Sequence, residues 1–476
     1  MTRNTDEVWD LVDARQAAYA ALSDRVWAMP ELAFEERRSA AAHAEMLRHE
    51  GFQVTEGVAG LPTAVMGEAG EGGPVIAFLG EFDALPGLSQ AAFVTEPRPL
   101  ERNGLGHGCG HNLLGTGSLL AAAALKDWLA ARGLPGRVRY YGCPAEECGA
   151  GKAFMVRDGA FRDVDVAISW HPAAFSAVNP ARSLALLQTD FTFIGKASHA
   201  AVAPHLGRSA LDAVELMSAG VNYLREHVPG DARIHYAYLD AGGVAPNVVQ
   251  AEATVRYIVR AADAAGLQDV AERVGQVAAG AALMTGTQVA SAVVSAMSSL
   301  LANEPLSDLM QDVLDRLGPV IFDEEDRRFA QGIRATLSPE ALDAAYCKAG
   351  LEPTGAPMAE CNVKQEAGGT AMLGSTDVGD VSWAVPTVQL NGAAFAIGTA
   401  YHSWQLTAQG LAPAAHKGMS HAAKVMAGTA ADLLLDPAHL EAAKAAHRAK
   451  LARRPFVSPL PEGLAAPVGI ADAWPR

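Results

Sequence analysis

Short apolar strands alternate with helix-length segments in the first part of this chain, and that rhythm restricts the fold more than any other feature. Pro74-Val-Ile-Ala-Phe-Leu79, Arg137-Val-Arg-Tyr-Tyr141 and Val164-Asp-Val-Ala-Ile-Ser169 read as strands, and the Ala/Leu-rich run Leu113–Arg132 reads as a helix ending at Gly133. Strands joined through helices run parallel, so a mainly parallel sheet covered by helices is expected. Upstream, Ala17–Trp27 and Arg37–His49 carry apolar residues at three- and four-residue spacing, and Met29-Pro-Glu-Leu32 separates them. A second rhythm follows. Thr189–Ile194, Arg233–Leu239, Glu252–Val259 and Gln288–Val294 read as strands, with helices over Ser209–Glu226 and Ala264–Ala279. The order β-α-β-β-α-β is the ferredoxin-like pattern. The expectation is an α/β chain whose larger domain spans 1–185 and 298–476, with 186–297 as an insert. Beyond it come helical segments, a Gly/Ser-rich stretch over 367–380 and a helix from about Met419 to Leu435. A proline-bearing tail from Pro455 closes the chain over the surface.

Composition removes several classes. The 476 residues hold 37 Lys+Arg against 53 Asp+Glu, a formal charge of −16, and only 6% are aromatic. A nucleic-acid partner wants a basic face and stacking platforms, so none is expected. Val274–Asn303 lacks charge and is long enough to span a bilayer. It is rich in Gly, Ser, Thr and Gln, however, and a helix end, a turn at Met284-Thr-Gly-Thr287 and a strand explain it without a membrane. The N-terminus lacks the apolar run of a signal peptide. The five cysteines are odd in number and sparse, which predicts reduced thiols and a cytoplasmic protein.

Ligands of open α/β sheets bind beyond the carboxyl ends of the strands. The first strand exits into Gly80-Glu-Phe-Asp-Ala-Leu-Pro86, the second into Gly142-Cys-Pro-Ala-Glu-Glu-Cys148, and the third into Trp170-His-Pro172. His107-Gly-Cys-Gly-His-Asn112 lies just before the long helix. Cys109 and His111, two apart in a Gly-flanked turn, can point to one spot, and thiolate with imidazole suits zinc or a similar divalent ion. An isolated pair of this kind is more often a buried Cys and a capping His; the surrounding carboxylates and His171 argue otherwise. Adjacent Glu146 and Glu147 face opposite ways in extended backbone, so one is expected to bind metal and the other to act as general base. His402 follows the apolar run Ala393–Ile397 and can return to the same edge. His416 and His421 are candidates for substrate contact or for plain surface positions. His199 and Asn247 sit on turns of the insert, where they fit a lid. A redox role for Cys143 and Cys148 is weak, because four residues separate them.

Taken in order, Pro30-Glu-Leu, Glu81-Phe-Asp-Ala-Leu-Pro86, Gly108-Cys-Gly-His-Asn112, Pro144-Ala-Glu-Glu147, Trp170-His-Pro172, Gly195 to Ala200, Pro246-Asn-Val248 and His402 resemble the aminoacylase/carboxypeptidase metallopeptidases. The likeness is greatest to their amidohydrolase branch, which includes hippurate and auxin-conjugate hydrolases, and it runs over nearly the whole chain. The resemblance implies that Cys109, His111, Glu147, His171 and His402 hold two divalent ions, Mn or Zn. It implies Glu146 as general base, His199 as a lid residue stabilising the tetrahedral intermediate, and Asn247 as a lid residue lining the substrate site. It also implies a metal-bearing catalytic domain and an inserted lid that dimerises. Two positions depart from the pattern: Glu81 stands where other branches carry a metal-binding histidine, and Cys148 where relatives often have glycine. Asp83 is accordingly expected to support a ligand and not to be one.

The expected activity is hydrolysis of an N-acyl or N-aroyl amino acid, aroyl-glutamate favoured, by metal-activated water. A homodimer is expected, with a homologous second subunit for a further partner. Alternatives are a dipeptidase or N-acetyl-amino-acid deacetylase on the same residues, or a metal-binding but inactive partner subunit.

Overall fold

The computed structural model describes residues 6–364 and 374–470, so 367–373 of the Gly/Ser-rich stretch lie outside the described residues. Among the described residues the strands are β1 (Gln53–Glu56), β2 (Val65–Glu71), β3 (Val75–Glu81), β4 (Gly136–Cys143), β5 (Val166–Ala173), β6 (Ser176–Val178), β7 (Ala185–Ile194), β8 (Arg233–Asp240), β9 (Glu252–Ala261), β10 (Gln288–Met297), β11 (Asn362–Val363) and β12 (Thr387–Ala393). The larger sheet has the order β1-β2-β4-β3-β5-β12-β6-β11. Its four middle strands, β4-β3-β5-β12, all run parallel. Glu81 pairs with Cys143, and Asn391 pairs with His171, so these strands finish at one edge. This is a mixed α/β fold with a mainly parallel centre.

Both faces of that centre are buried, which is why its strands read as unbroken apolar runs. Ile76, Phe78, Val166, Ile168, Trp170, Val388 and Leu390 pack into one core. Val75, Ala77, Leu79, Tyr141 and Ala167 point the other way into a second. Two long helices, His111–Arg132 and Pro413–Leu435, cover the first face, and small residues let them close on it. A Cβ on Gly418 would come within 2.2 Å of the Ala393 carbonyl oxygen, and one on Gly117 within 2.9 Å of the Trp170 ring. Each fully buried Leu or Phe in such a core contributes roughly 1.5–3 kcal/mol.

Several expectations are corrected at the margins. No strand is evident in the sequence between the helix ending at His49 and Pro74, yet β1 and β2 extend the sheet there in antiparallel fashion. β1 is polar and largely exposed, and β2 contains two glycines, so neither carries a strong apolar signal. The helix expected from Met419 starts at Pro413, with proline in its first turn, where no amide donor is needed. A further helix, Pro437–Arg453, follows at once; its apolar residues are mainly alanine, which gives no clear face. The uncharged segment resolves into the end of helix Ala264–Thr285, a left-handed Gly286 and strand β10.

The smaller sheet is antiparallel throughout, in the order β10-β7-β9-β8. Helices Ala210–Leu224 and Ala264–Thr285 pack on one face around Phe191, Phe193, Val255 and Tyr257. β8 is an outer strand of this sheet, and Tyr236, Tyr238 and Leu239 on it are exposed.

Candidate metal centre

The carboxyl edge of β4-β3-β5-β12 receives every strand-exit residue singled out above. Glu81 ends β3; Glu146 and Glu147 follow β4; His171 lies near the end of β5. His402 arrives by the loop after β12. Between β3 and the long helix, Gly110 takes a left-handed φ of 81°. A Cβ there would also sit 2.7 Å from the Pro172 ring, so glycine is required twice over. The turn it makes presents Cys109 and starts the helix at His111.

Two sets of donor atoms lie within 4.8 Å of one another: Cys109, His111 and His171 form one, and Cys109, Glu147 and His402 the other. Cys109 belongs to both. Its Sγ is 3.4 Å from His171 Nε2, and His402 Nε2 is 3.1 Å from Glu147 Oε2. His402 is brought back by its own amide, which donates to the Gly108 carbonyl at 2.8 Å. The neighbouring Tyr401 hydroxyl donates to the Pro172 carbonyl at 3.0 Å. One loop is thereby stitched to both the Cys109 turn and the end of β5.

The donor set fits a divalent cation on its own chemistry. His171 Nδ1 faces the Pro172 carbonyl at 3.0 Å, and His111 Nδ1 faces the Asp83 carboxylate at 2.9 Å. Both partners only accept, so each Nδ1 carries a proton and each Nε2 is the ring nitrogen left to face an ion. Burial lowers His111, but Cys109 and Asp83 outweigh it and hold it well above its ordinary value, so a cation would displace the Nε2 proton there. His111 Nε2 and Glu147 Oε1 are buried with no hydrogen-bond partner. Glu81 Oε2 stands 3.3 Å from that nitrogen but makes no hydrogen bond to it. An imidazole nitrogen and a carboxylate oxygen 3.9 Å apart, each able to offer a lone pair and neither hydrogen-bonded, are what a cation satisfies. Burial, with His111 second, holds His171 down at about 4, in the neutral form that ligates. Burial and then Glu147 push the Cys109 thiol well up; a bound divalent cation would supply the charge that favours its thiolate.

Asp83 supports this arrangement from behind. Its Oδ1 orients His111, and its Oδ2 accepts the Glu147 amide at 3.0 Å. Glu146 shares a third cluster with Glu81 and His111. Burial first, then the charges of Glu81 and Glu147, push Glu146 well above the ordinary carboxylate range. Glu147 moves the other way: burial raises it, but the His402 hydrogen bond and the His111 charge outweigh that. Two adjacent carboxylates are thus driven apart, the pattern expected of two different roles.

What lies beneath Glu81 has no counterpart in the sequence reading. Lys152 is fully buried, with Nζ 2.6 Å from both Glu81 Oε1 and Asp377 Oδ1. Its amide also donates to Asp377 Oδ2 at 2.8 Å. Burial alone would lower the lysine, yet Asp377 and Glu81 keep it raised and charged. Glu81 was visible at its strand end, but nothing local marks Lys152 or Asp377, which are 225 residues apart.

Other candidates lie elsewhere. His416 Nε2 meets Asp24 Oδ1 at 2.8 Å, and His421 Nε2 meets the Gly318 carbonyl at 2.7 Å, so both serve the packing of helix Pro413–Leu435. His199 and Asn247 are exposed neighbours on the smaller sheet's loops: the Ala200 amide donates to the Asn247 carbonyl, and His199 bridges to Val248. Among the described residues no hydrogen bond or ion pair joins either to the five donors. All five cysteines are free.

Residues 77–318 match the model of peptidase family M20/M25/M40. The chain is 43% identical to the B subunit of p-aminobenzoyl-glutamate hydrolase from Escherichia coli, covering 96% of this chain and 97% of that protein. It is 30% identical to Xaa-Arg dipeptidase of Mus musculus, over 92% and 91% of the two chains. Among solved structures, an aminobenzoyl-glutamate utilization protein from Klebsiella pneumoniae superimposes with a TM-score of 0.55 at 18% identity, covering 89% and 97%. A dinuclear metal-binding peptidase of family M20 from Bacillus subtilis does so with a TM-score of 0.51 at 19% identity, covering 89% and 99%. The two structures share the fold, and the sequence matches share the ancestry: this chain belongs to peptidase family M20/M25/M40.

Proposed function

We propose that this chain is a two-metal amidohydrolase that cleaves N-aroyl amino acids, with p-aminobenzoyl-glutamate as the first substrate to try. The observation that carries the reading is the convergence of Cys109, His111, Glu147, His171 and His402 into two overlapping donor sets, with Glu146 beside them in a cluster with Glu81 and His111. The extent of the likeness to the E. coli hydrolase supports the choice of substrate. Mn or Zn, held by those five side chains, would polarise the scissile carbonyl and make a bound water more acidic. Asp83 holds His111 and the Glu147 backbone in place, while Glu146 takes a proton from the attacking water and delivers it to the departing amine. The amine leaves as a neutral molecule only if that proton reaches it.

Residues 186–297 are read as an inserted, ferredoxin-like lid. The strand order β10-β7-β9-β8 with two helices on one face supports this, as do the loops that present His199 and Asn247 together. In the closed enzyme His199, from the same or a neighbouring protomer, would donate to the carbonyl oxygen as it gains charge, and Asn247 would contact substrate. The exposed edge of β8 is the natural seam of a homodimer. A homologous second chain is a further partner: this one is also 31% identical to the A subunit of the E. coli enzyme over 243 residues. Five free cysteines support a reducing, cytoplasmic setting; no described helix is long and apolar enough to cross a membrane.

A dipeptidase is the second reading, favoured by the mouse relative. The experiment is a screen of p-aminobenzoyl-glutamate, hippurate, N-acetyl amino acids and dipeptides, with Mn and Zn supplied separately and with or without a co-expressed homologue of the E. coli A subunit. Release of p-aminobenzoate by the metal-loaded protein, reduced about a hundredfold or more by Glu146→Gln at unchanged metal content, is the expected result. Preference for dipeptides would transfer the assignment, and no turnover with any substrate or partner would end it.

A further inference from the structure

Glu36 is a fully buried carboxyl group that no part of the proposed chemistry uses. It stands before helix Arg37–His49, yet its side chain does not cap that helix. Instead Oε1 accepts two backbone amides, from Phe34 and from Ala145, each at 2.9 Å. Oε2 accepts the Thr63 hydroxyl at 2.7 Å. The two amides belong to residues of one unusual kind: Phe34 has φ 64° and Ala145 φ 59°, left-handed backbone that non-glycine residues rarely adopt. Ala145 immediately precedes Glu146. One oxygen atom therefore fastens the irregular N-terminal loop to the irregular loop that carries the general base.

The contact is reinforced by packing. The Phe34 ring and the Ala145 methyl both press on Gly149, where a Cβ would meet them at 2.5 and 2.6 Å. The same N-terminal loop reaches the other side of the site: the Glu31 carbonyl accepts the Ala84 amide at 2.8 Å, next to Asp83. Left-handed backbone at a non-glycine residue persists only when its surroundings over-determine it, and such residues gather at functional sites.

We propose that Glu36 is a positioning residue for catalysis, fixing the backbone of Ala145 so that the Glu146 carboxyl points at the reacting atoms. What the role needs is an acceptor oxygen at one distance from two amides. A glutamine supplies that oxygen, and its amide group can donate to Thr63 Oγ1. An aspartate keeps the carboxyl but is one methylene too short to reach both amides. Burial, with the Asp83 charge second, pushes Glu36 up to about 8.

The test rests on Glu146 being the base, and it ranks two conservative variants. Glu36→Gln should keep kcat within about threefold of the parent. Glu36→Asp should lower kcat roughly tenfold to a hundredfold, the scale on which misplaced groups cost rate, with KM within about twofold and metal content unchanged. Hydrogen exchange followed by mass spectrometry should show faster exchange confined to peptides spanning 31–38 and 144–150 in the aspartate variant and none in the glutamine variant. The reverse order of activities, equal activity of both, or exchange spread over the whole chain would overturn the proposal. Full activity of Glu146→Gln would instead remove the reading beneath it, and is measured separately.

Discussion

Asp83 shows how much a single side chain can organise, since its two oxygens set the orientation of one donor and the backbone of another. Asp83→Asn should therefore weaken metal binding by about 10–100-fold, the usual cost of losing an outer hydrogen bond to a ligand; competition with a chelator reads this directly. Cys109 and His402 make a sharper contrast. Cys109→Ser should lower occupancy of both ions because its sulfur enters both donor sets, whereas His402→Ala should lower one; elemental analysis of gel-filtered protein distinguishes them. Lys152→Met leaves Glu81 and Asp377 buried with no counter-charge and should cost about 3–5 kcal/mol in denaturant unfolding. At this scale the sequence was most informative where residues leave strands. Glu146, Glu147 and His171 were legible because topology sends strand ends to one edge, and Cys109 because a Gly-flanked turn sets it beside His111 at the start of the long helix. His402 was harder to place, since its return depends on a hydrogen bond from its backbone amide to the Gly108 carbonyl that no local pattern encodes. Glu36 and Lys152 were invisible, because their partners are distant in sequence and their own types read as surface.

Elements show the same division between strong and weak periodic signals. β3, β4 and β5 were plain because both faces of each are buried, and helix Arg37–His49 was plain because its apolar spacing is regular. β1 and β2 were missed: the edge strand β1 is polar and largely exposed, and β2, between β1 and β4, is interrupted by two glycines, so neither carries much hydrophobic pattern. Helix Arg37–His49 also holds a pH-sensitive residue away from the metal centre. His43 lies buried between Phe82 and Tyr140, with Nδ1 donating to the Ser39 carbonyl, and burial holds it from the usual 6.5 down to about 4. The unfolded chain takes up this proton below about 6.5 and the folded chain resists it until about 4. Stability is thus complete above the first value and declines as pH falls toward the second. Urea midpoints measured from pH 7 to 4 should fall less steeply in His43→Gln than in the parent.

For the whole molecule, the dimer reading puts weight on the smaller sheet's free edge. Tyr236, Tyr238 and Leu239 on β8 and Tyr223 on the adjacent helix are exposed, an apolar seam that a lone protomer would leave in water. Sedimentation should give a dimer for the parent and a monomer for a Tyr223→Asp, Tyr238→Asp double variant; an unchanged mass would place the interface elsewhere. The order β-α-β-β-α-β is local in sequence, and the elements from β7 to β10 follow it. Which surfaces stay open was not, because exposure depends on what packs across from each strand.

The position of β12 has a consequence for how the protein is made. This strand, Thr387–Ala393, slots between β5 and β6, whose residues precede it by some two hundred positions, and only after it does the chain deliver His402. A polypeptide still emerging from the ribosome would own the Cys109, His111 and His171 trio while its central sheet gaped beside β5. Cation capture before that gap closes would be partial, and complete loading would wait until synthesis is nearly finished.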